Sequence, residues 1–143
     1  MLLVKTYLDT SRIHGIGLFA AERIPEGTVI WRLAPAVDLV FDEDVLDALS
    51  PAARDQLRKY SYTDVVLRRR VLCCDDARFF NHSDAPNCLD HPSADGGTTV
   101  AMRDIEAGEE LTCDYRAFDL DAQAGRHVEE FERHRAGVNG AAP

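Results

Sequence analysis

Three short segments of this 143-residue chain carry side chains whose types and spacing suit chemistry. Gly15-Ile16-Gly17-Leu18-Phe19-Ala20 sets two glycines one residue apart, and backbone without Cβ atoms lets a ligand approach closely. It lacks the third glycine and the following helix of a dinucleotide-binding turn, so taken alone it reads as a structural turn. Arg78 to Cys88, RFFNHSDAPNC, packs two Asn, a His, a Ser and a Pro between apolar flanks. Each buried amide or imidazole needs a hydrogen-bond partner, so this stretch either braces a crossing of chain segments or faces a polar ligand. His82 on its own reads as a hydrogen-bonded structural residue. Gly108 to Tyr115, GEELTCDY, is a turn and a strand ending in Asp114-Tyr115. Alone, that tyrosine reads as half-buried core and the acids as a solvated face.

The elements that must position these residues are short. Leu2 to Leu8 predicts a strand, Asp9 to Gly15 a loop and Gly17 to Ala20 a second strand. Pro25 and Gly27 mark a turn before the β-branched run Thr28 to Leu33, which predicts a hairpin. Between Asp42 and Lys59, apolar residues recur three and four apart, and Ser50-Pro51 splits the helical pattern in two, with Ser as cap and Pro at the first helical position. Val71 to Cys74 predicts a short strand, Arg78 to Asp90 irregular backbone and Pro92 to Gly97 a turn. Thr98 to Arg103 and Glu110 to Cys113 predict strands around the turn Glu106 to Glu109. Phe118 to Arg135 predicts a terminal amphipathic helix, and the small residues from Ala136 to Pro143 a disordered tail. Many short strands with few helices make a mainly β fold of the α+β class, in a single domain over residues 1–135.

Composition narrows the partners. A net charge of -9 disfavours a polyphosphate backbone and suits a basic protein, so no direct nucleic-acid binding is expected. Leu2 to Val4 is too short an apolar run for a signal peptide or a membrane helix, which predicts a cytoplasmic protein with no membrane partner. Cys73, Cys74, Cys88 and Cys113 form no CxxC pair, so no metal site is expected and reduced thiols are the default.

Taken together and in order, GIGLFA, RFFNHSDAPN and AMRDIEAGEELTCDY resemble the SET-domain family of protein lysine methyltransferases, over about Gly15 to Tyr115. The resemblance implies a β-clip fold of small curved sheets around a pseudoknot, in which the Arg78 to Asn87 segment passes beside Glu110 to Tyr115. It implies S-adenosylmethionine as cofactor, bound by Gly15, Ile16, Gly17, Leu18 and Phe19 with Asn81 and His82, while Arg78, Phe79 and Phe80 shape the pocket. Tyr115 matches the family's tyrosine and is the implied catalytic residue. The implied substrate is a lysine of a basic protein, histone or histone-like or ribosomal, held in a channel for which Tyr60, Tyr62, Cys113 and Phe118 are the candidates.

Departures from the family pattern carry their own expectations. Asp84 stands where many members have Cys, and no Cys follows Cys113, so the zinc cluster that often completes the channel is expected to be missing. The segment 116–135 is then the candidate for closing the channel, and 42–70 reads as a helical insertion. Cys113 stands where the family usually carries an aromatic residue, which leaves room for higher methylation states. The smallest viral and bacterial forms suggest that a homodimer replaces the missing parts. Were the source a bacterium, a host histone substrate would require export. Arg68 to Arg70 and the acidic insertion are both candidates to touch substrate. Two other readings compete: an inactive SET scaffold that binds peptides, and a β-clip domain of the sugar-acid synthase or antifreeze kind, in which the NHS segment and Asp114-Tyr115 would have no role.

Overall fold

Ser11 turns the chain back on itself. In this computed structural model, which describes residues 1–125, the Ser11 hydroxyl accepts hydrogen bonds from the Ile13 and His14 amides at 2.8 and 3.1 Å. Gly15 closes the turn at φ +50, a left-handed conformation that glycine adopts without steric cost. The turn joins β1 (Thr6–Thr10) to β2 (Ile16–Ala20) as an antiparallel hairpin, with Thr6 opposite Ala20 and Thr10 opposite Ile16. The first strand is therefore displaced from the expected Leu2 to Leu8. Leu2 instead makes a single bridge to Trp31, and the Leu3 amide donates to Ile30 O at 2.7 Å, so the chain's start crosses a different sheet.

Pro25 and Gly27 form the expected turn, with Thr28 N donating to Pro25 O at 3.2 Å, but the expected hairpin does not form. β3 (Val29–Arg32) pairs with β9 (Thr98–Ala101), which pairs with β8 (Cys88–His91). Ile24 bridges Ile105, their amides and carbonyls exchanging bonds at 2.8 and 2.9 Å, so the two proline- and glycine-type turns face each other across the core. Long-range pairing wins because it places Ile24, Ile30, Ala101 and Ile105 in one buried cluster with Leu18 and Leu111. Each such side chain contributes about 1.5–3 kcal/mol on burial.

A third sheet holds β4 (Leu39–Phe41), β6 (Arg70–Leu72) and β5 (Ser61–Thr63). The insertion between β4 and β6 contains the two helical elements split at Ser50, although the first, Glu43–Ala48, winds as a 3-10 helix. Ser50 caps α1 (Pro51–Tyr60) by accepting from Ala53 N at 3.4 Å, and Pro51 opens it. None of α1 is fully buried, and the insertion is anchored instead by Leu46 and by Arg70. The Arg70 guanidinium, 5% exposed, donates to Glu43, to Ser61 Oγ at 3.0 Å and to Asp121 Oδ2 at 3.0 Å. Arg70 is thus structural and removed from any substrate surface, and Arg69 bonds Asp42 at 2.7 Å.

After Tyr115 the chain makes a 3-10 turn, Tyr115–Ala117, and a short α2 (Leu120–Gln123), then turns at Gly125 with φ +74. The helix expected over Phe118 to Arg135, with its spacing interrupted at Gly125, begins within the described residues as the short α2, and the chain turns at Gly125. The remainder of that span and the expected tail lie outside the described residues.

Candidate active site

Two chain segments cross at the centre of the domain. β7 (Asn81–His82) and β10 (Thr112–Cys113) form a two-residue parallel pair, Asn81 opposite Thr112 and His82 opposite Cys113. Side chains lock the crossing. Asn81 Nδ2 donates to Glu110 Oε1 at 2.7 Å, His14 O at 3.1 Å and Ile16 O at 3.3 Å. Asn87 Nδ2 donates to Glu110 O at 2.8 Å, and its Oδ1 accepts from Thr112 N at 2.9 Å. The polar stretch read from sequence is a brace, and its partners are Glu110 and Thr112. Gly17 is part of it: a Cβ there would lie 2.3 Å from Glu110 Oε1, so this glycine makes room for protein.

Immediately beyond the crossing, Tyr115 N donates to His82 Nδ1 at 3.2 Å. The ring's Nε2 lies 3.5 Å from Asp84, and Nδ1 lies 3.7 Å from Asp114. The Tyr115 hydroxyl donates to Phe80 O, and burial pushes the phenol's pKa upward, so the hydroxyl stays neutral.

Tyr115 also faces a cavity of about 110 Å³. Tyr60, Tyr62, Cys113 and Phe118, proposed from sequence as channel residues, all line it. Phe118 packs edge-on against Tyr62 with ring centres 4.9 Å apart, and against Tyr115 at 5.8 Å. It is brought there by the segment after Tyr115, which is tied to the insertion through Val65 N to Phe118 O at 3.0 Å and Thr63 N to Asp119 Oδ1 at 3.1 Å. Burial raises the pKa of Tyr62 and of the Cys113 thiol, so both remain uncharged walls.

Of the proposed cofactor-side residues, Gly15 to Phe19 and Asn81 gather around the β1–β2 turn, whereas Arg78 and Phe80 line the tyrosine cavity. Asn81 holds the carbonyls on either side of Gly15, and nothing lies within 4 Å of where a Gly15 Cβ would project. Ile16 is 51% exposed beside it. This open backbone shelf fits a ligand lying flat on the chain. Leu18 has its side chain wholly in the core, and Phe19 stacks on Tyr7, so these two offer backbone only or a partly covered ring. Phe79 packs on Tyr60 at 5.8 Å, and Arg78 donates to the Asp75 and Cys74 carbonyls while lining the tyrosine cavity.

A SET domain profile matches residues 15–116. The chain belongs to the SET-domain family. It is 30% identical over 122 residues to histone-lysine N-methyltransferase 2D of Homo sapiens and to the same protein of Mus musculus, covering 80% of this chain. The match spans 2% of the length of those relatives. Among solved structures, a Plasmodium falciparum protein provisionally assigned as a histone methyltransferase superposes with a TM-score of 0.57 at 22% identity, covering 80% of this SET domain and 95% of that chain. A humanized mutant of the Chaetomium thermophilum Polycomb Repressive Complex 2, bound to the inhibitor GSK126, gives 0.58 at 23%, covering 80% of this chain and 15% of that one. These likenesses establish the mainly β SET architecture.

Sequence reasoning missed several cavity residues: Trp31, Asp64, Asp90, Thr99 and Asp119. For Asp90 a signal existed. It stands two residues after buried Cys88, with exposed Leu89 between, so strand alternation turns it inward. Asp64 and Asp119 are each at most 2% exposed and accept backbone amides, Asp64 Oδ1 from Leu67 at 2.7 Å and Asp119 Oδ1 from Asp121 at 2.9 Å.

Proposed function

We propose that this SET domain transfers a methyl group from S-adenosylmethionine to the side-chain amine of a lysine in a basic protein. The observation that carries the reading is the placement of Tyr115 between an aromatic cavity and the crossing that holds the Gly15 shelf. The donor supplies an electrophilic methyl carbon on a sulfonium, and the Gly15 to Phe19 backbone with Asn81 and His82 is where it would be held.

The chain's own residues do the rest. Tyr60, Tyr62 and Phe118 confine an alkyl chain, and aromatic faces attract the cation at its end. Desolvation in that cavity works against the ammonium form of lysine, whose ordinary pKa of ~10.4 would otherwise cost about 5 kcal/mol of deprotonation at neutral pH. Tyr115, fixed by Phe80 O, presents a neutral hydroxyl oxygen toward the reacting groups. Alignment of amine and methyl supplies several kcal/mol, and a preorganised oxygen facing the positive methyl adds to it. The net charge of -9 and the three cavity aspartates suit a basic substrate.

The test is methyl incorporation from labelled S-adenosylmethionine into a panel of core histones, ribosomal proteins and bacterial nucleoid proteins. Native protein is expected to label at least one, and Tyr115→Phe to lose about 10²–10³-fold while binding the donor by calorimetry as native does. Undiminished labelling by Tyr115→Phe, or no labelling and no donor binding by native protein, overturns the reading.

A further inference from the structure

Only two buried side-chain polar atoms among the described residues have no hydrogen-bond partner, Asp90 Oδ2 and Trp31 Nε1. Both belong to residues that line the Tyr115 cavity. An unsatisfied buried polar atom costs about 1–3 kcal/mol, so two on residues that line one cavity call for an explanation, and a ligand that completes the bonding supplies one. The ligand's chemistry follows from the walls. A carboxylate oxygen accepts hydrogen and carries negative charge, and it is enclosed with Tyr60, Tyr62, Tyr115 and Phe118, which favour a cation on an alkyl stem.

We propose that Asp90 receives the substrate's lysine ammonium in this cavity and takes its proton before methyl transfer. The inference rests on the methyltransferase reading above and adds a residue to it. Asp90 Oδ1 accepts from Thr99 Oγ1 on the neighbouring strand at 2.6 Å, which fixes the carboxyl and leaves Oδ2 without a strong donor. The Cys113 thiol on β10, a weak donor, hydrogen-bonds the same carboxyl, and His91 and Asp114 act on it from its own strand and from beyond β10. Asp64 and Asp119 share the cavity but are bound to backbone amides, and Lys59 and Arg78 stand at its exposed rim. Burial raises Asp90 to about 6, so at neutral pH it is ionised and yet more basic than an ordinary carboxylate.

The proton balance closes. Lysine ammonium and Asp90 carboxylate become neutral amine and carboxylic acid, a pair that buries no charge and is favoured in a dry cavity. The amine lone pair then forms the nitrogen–carbon bond while the carbon–sulfur bond breaks, its electrons remaining on sulfur as a neutral thioether. The product leaves as methylammonium, and Asp90 returns its proton to water.

The test is kcat/KM against pH from 5 to 10, with core histones as substrate, for native protein, Asp90→Asn, Asp90→Glu and Thr99→Val. Native activity is expected to rise through a limb centred near 6. Asp90→Asn should lose about 10²-fold at pH 7 and recover as pH approaches the lysine's own pKa, with Asp90→Glu intermediate. Thr99→Val removes a bond that holds the carboxylate, so the limb should move to higher pH even if Asp90→Asn fails to fold. An active native protein whose profile is unchanged by Asp90→Asn, or lacks the limb and is unmoved by Thr99→Val, sinks this inference alone. A native protein that labels nothing sinks the methyltransferase reading together with it.

Discussion

The crossing and the cavity stand back to back on Cys113 and Tyr115, and they treat buried polar groups in opposite ways. In the crossing, Asn81 and Asn87 satisfy backbone and carboxylate partners from two other segments, the β1–β2 turn and residues 110–112. In the cavity, Asp90 and Trp31 each keep a buried polar atom without a partner. Both regions bury polar side chains, yet one holds the chain and the other is held ready. The difference separates residues whose loss unfolds the domain from residues whose loss silences it.

Tyr115→Phe, described above, should show the purest silencing: a loss of about 10²–10³-fold in labelling with little change in melting temperature. Asn81→Ala should lower stability as well as activity, since the same amide holds the crossing and the Gly15 shelf. It strips three acceptors, one a carboxylate, and is expected to cost about 2–4 kcal/mol, read as a lower denaturant midpoint. If Asn81→Ala melts like native protein, the crossing is not the brace described here.

Asp90 gives a sharper version, because its effect on stability should oppose its effect on activity. Burial lifts its pKa from 3.8 to about 6, so between those values the folded chain holds a proton that the unfolded chain has released. Stability from this group is fullest below the lower value and falls as pH rises through the window, by up to about 3 kcal/mol. Asp90→Asn is therefore expected to melt above native protein at pH 7.5 and close to it at pH 4, as thermal scans at both pH values will read. A variant that melts lower at pH 7.5 would place Asp90 among the braces.

The smallest effect is expected at Cys113. Its small buried side chain lines the cavity, so the native protein should add more than one methyl, and Cys113→Phe should lower the methylation number more than the rate. Intact-mass spectrometry of the labelled substrate reads this directly, and strict monomethylation by both proteins would refute it.

What the sequence carries depends on how local the determining contact is. Ser50 and Pro51 announce α1 because cap and first turn are adjacent residues, and the turns at Pro25 and Glu106 are legible for the same reason. The partner of β3 is not legible, since β9 lies some seventy residues away and only the packed core selects it. β4, β5 and β7 are three residues or fewer, too short for alternation to register. In the site, Tyr115 and the channel aromatics came from the family resemblance. Asp90 was missed because Arg78 to Asp90 read as irregular backbone, which hid its alternation with Cys88 on β8, and the burial of Arg70 was hidden inside a run of three arginines that reads as a solvated face.

The parallel pair joins residue 81 to residue 112, and the whole β8–β9 hairpin lies in the loop it closes. Parallel strands so far apart in sequence assemble slowly, after nearer contacts have formed. A chain emerging from the ribosome would thus complete its hairpins first and acquire its longer-range pairings, the strap and the β3–β9 contact, afterwards. The reactive centre is then expected to appear only after the hairpins, so half-made copies would carry β structure but no competence to modify a neighbour.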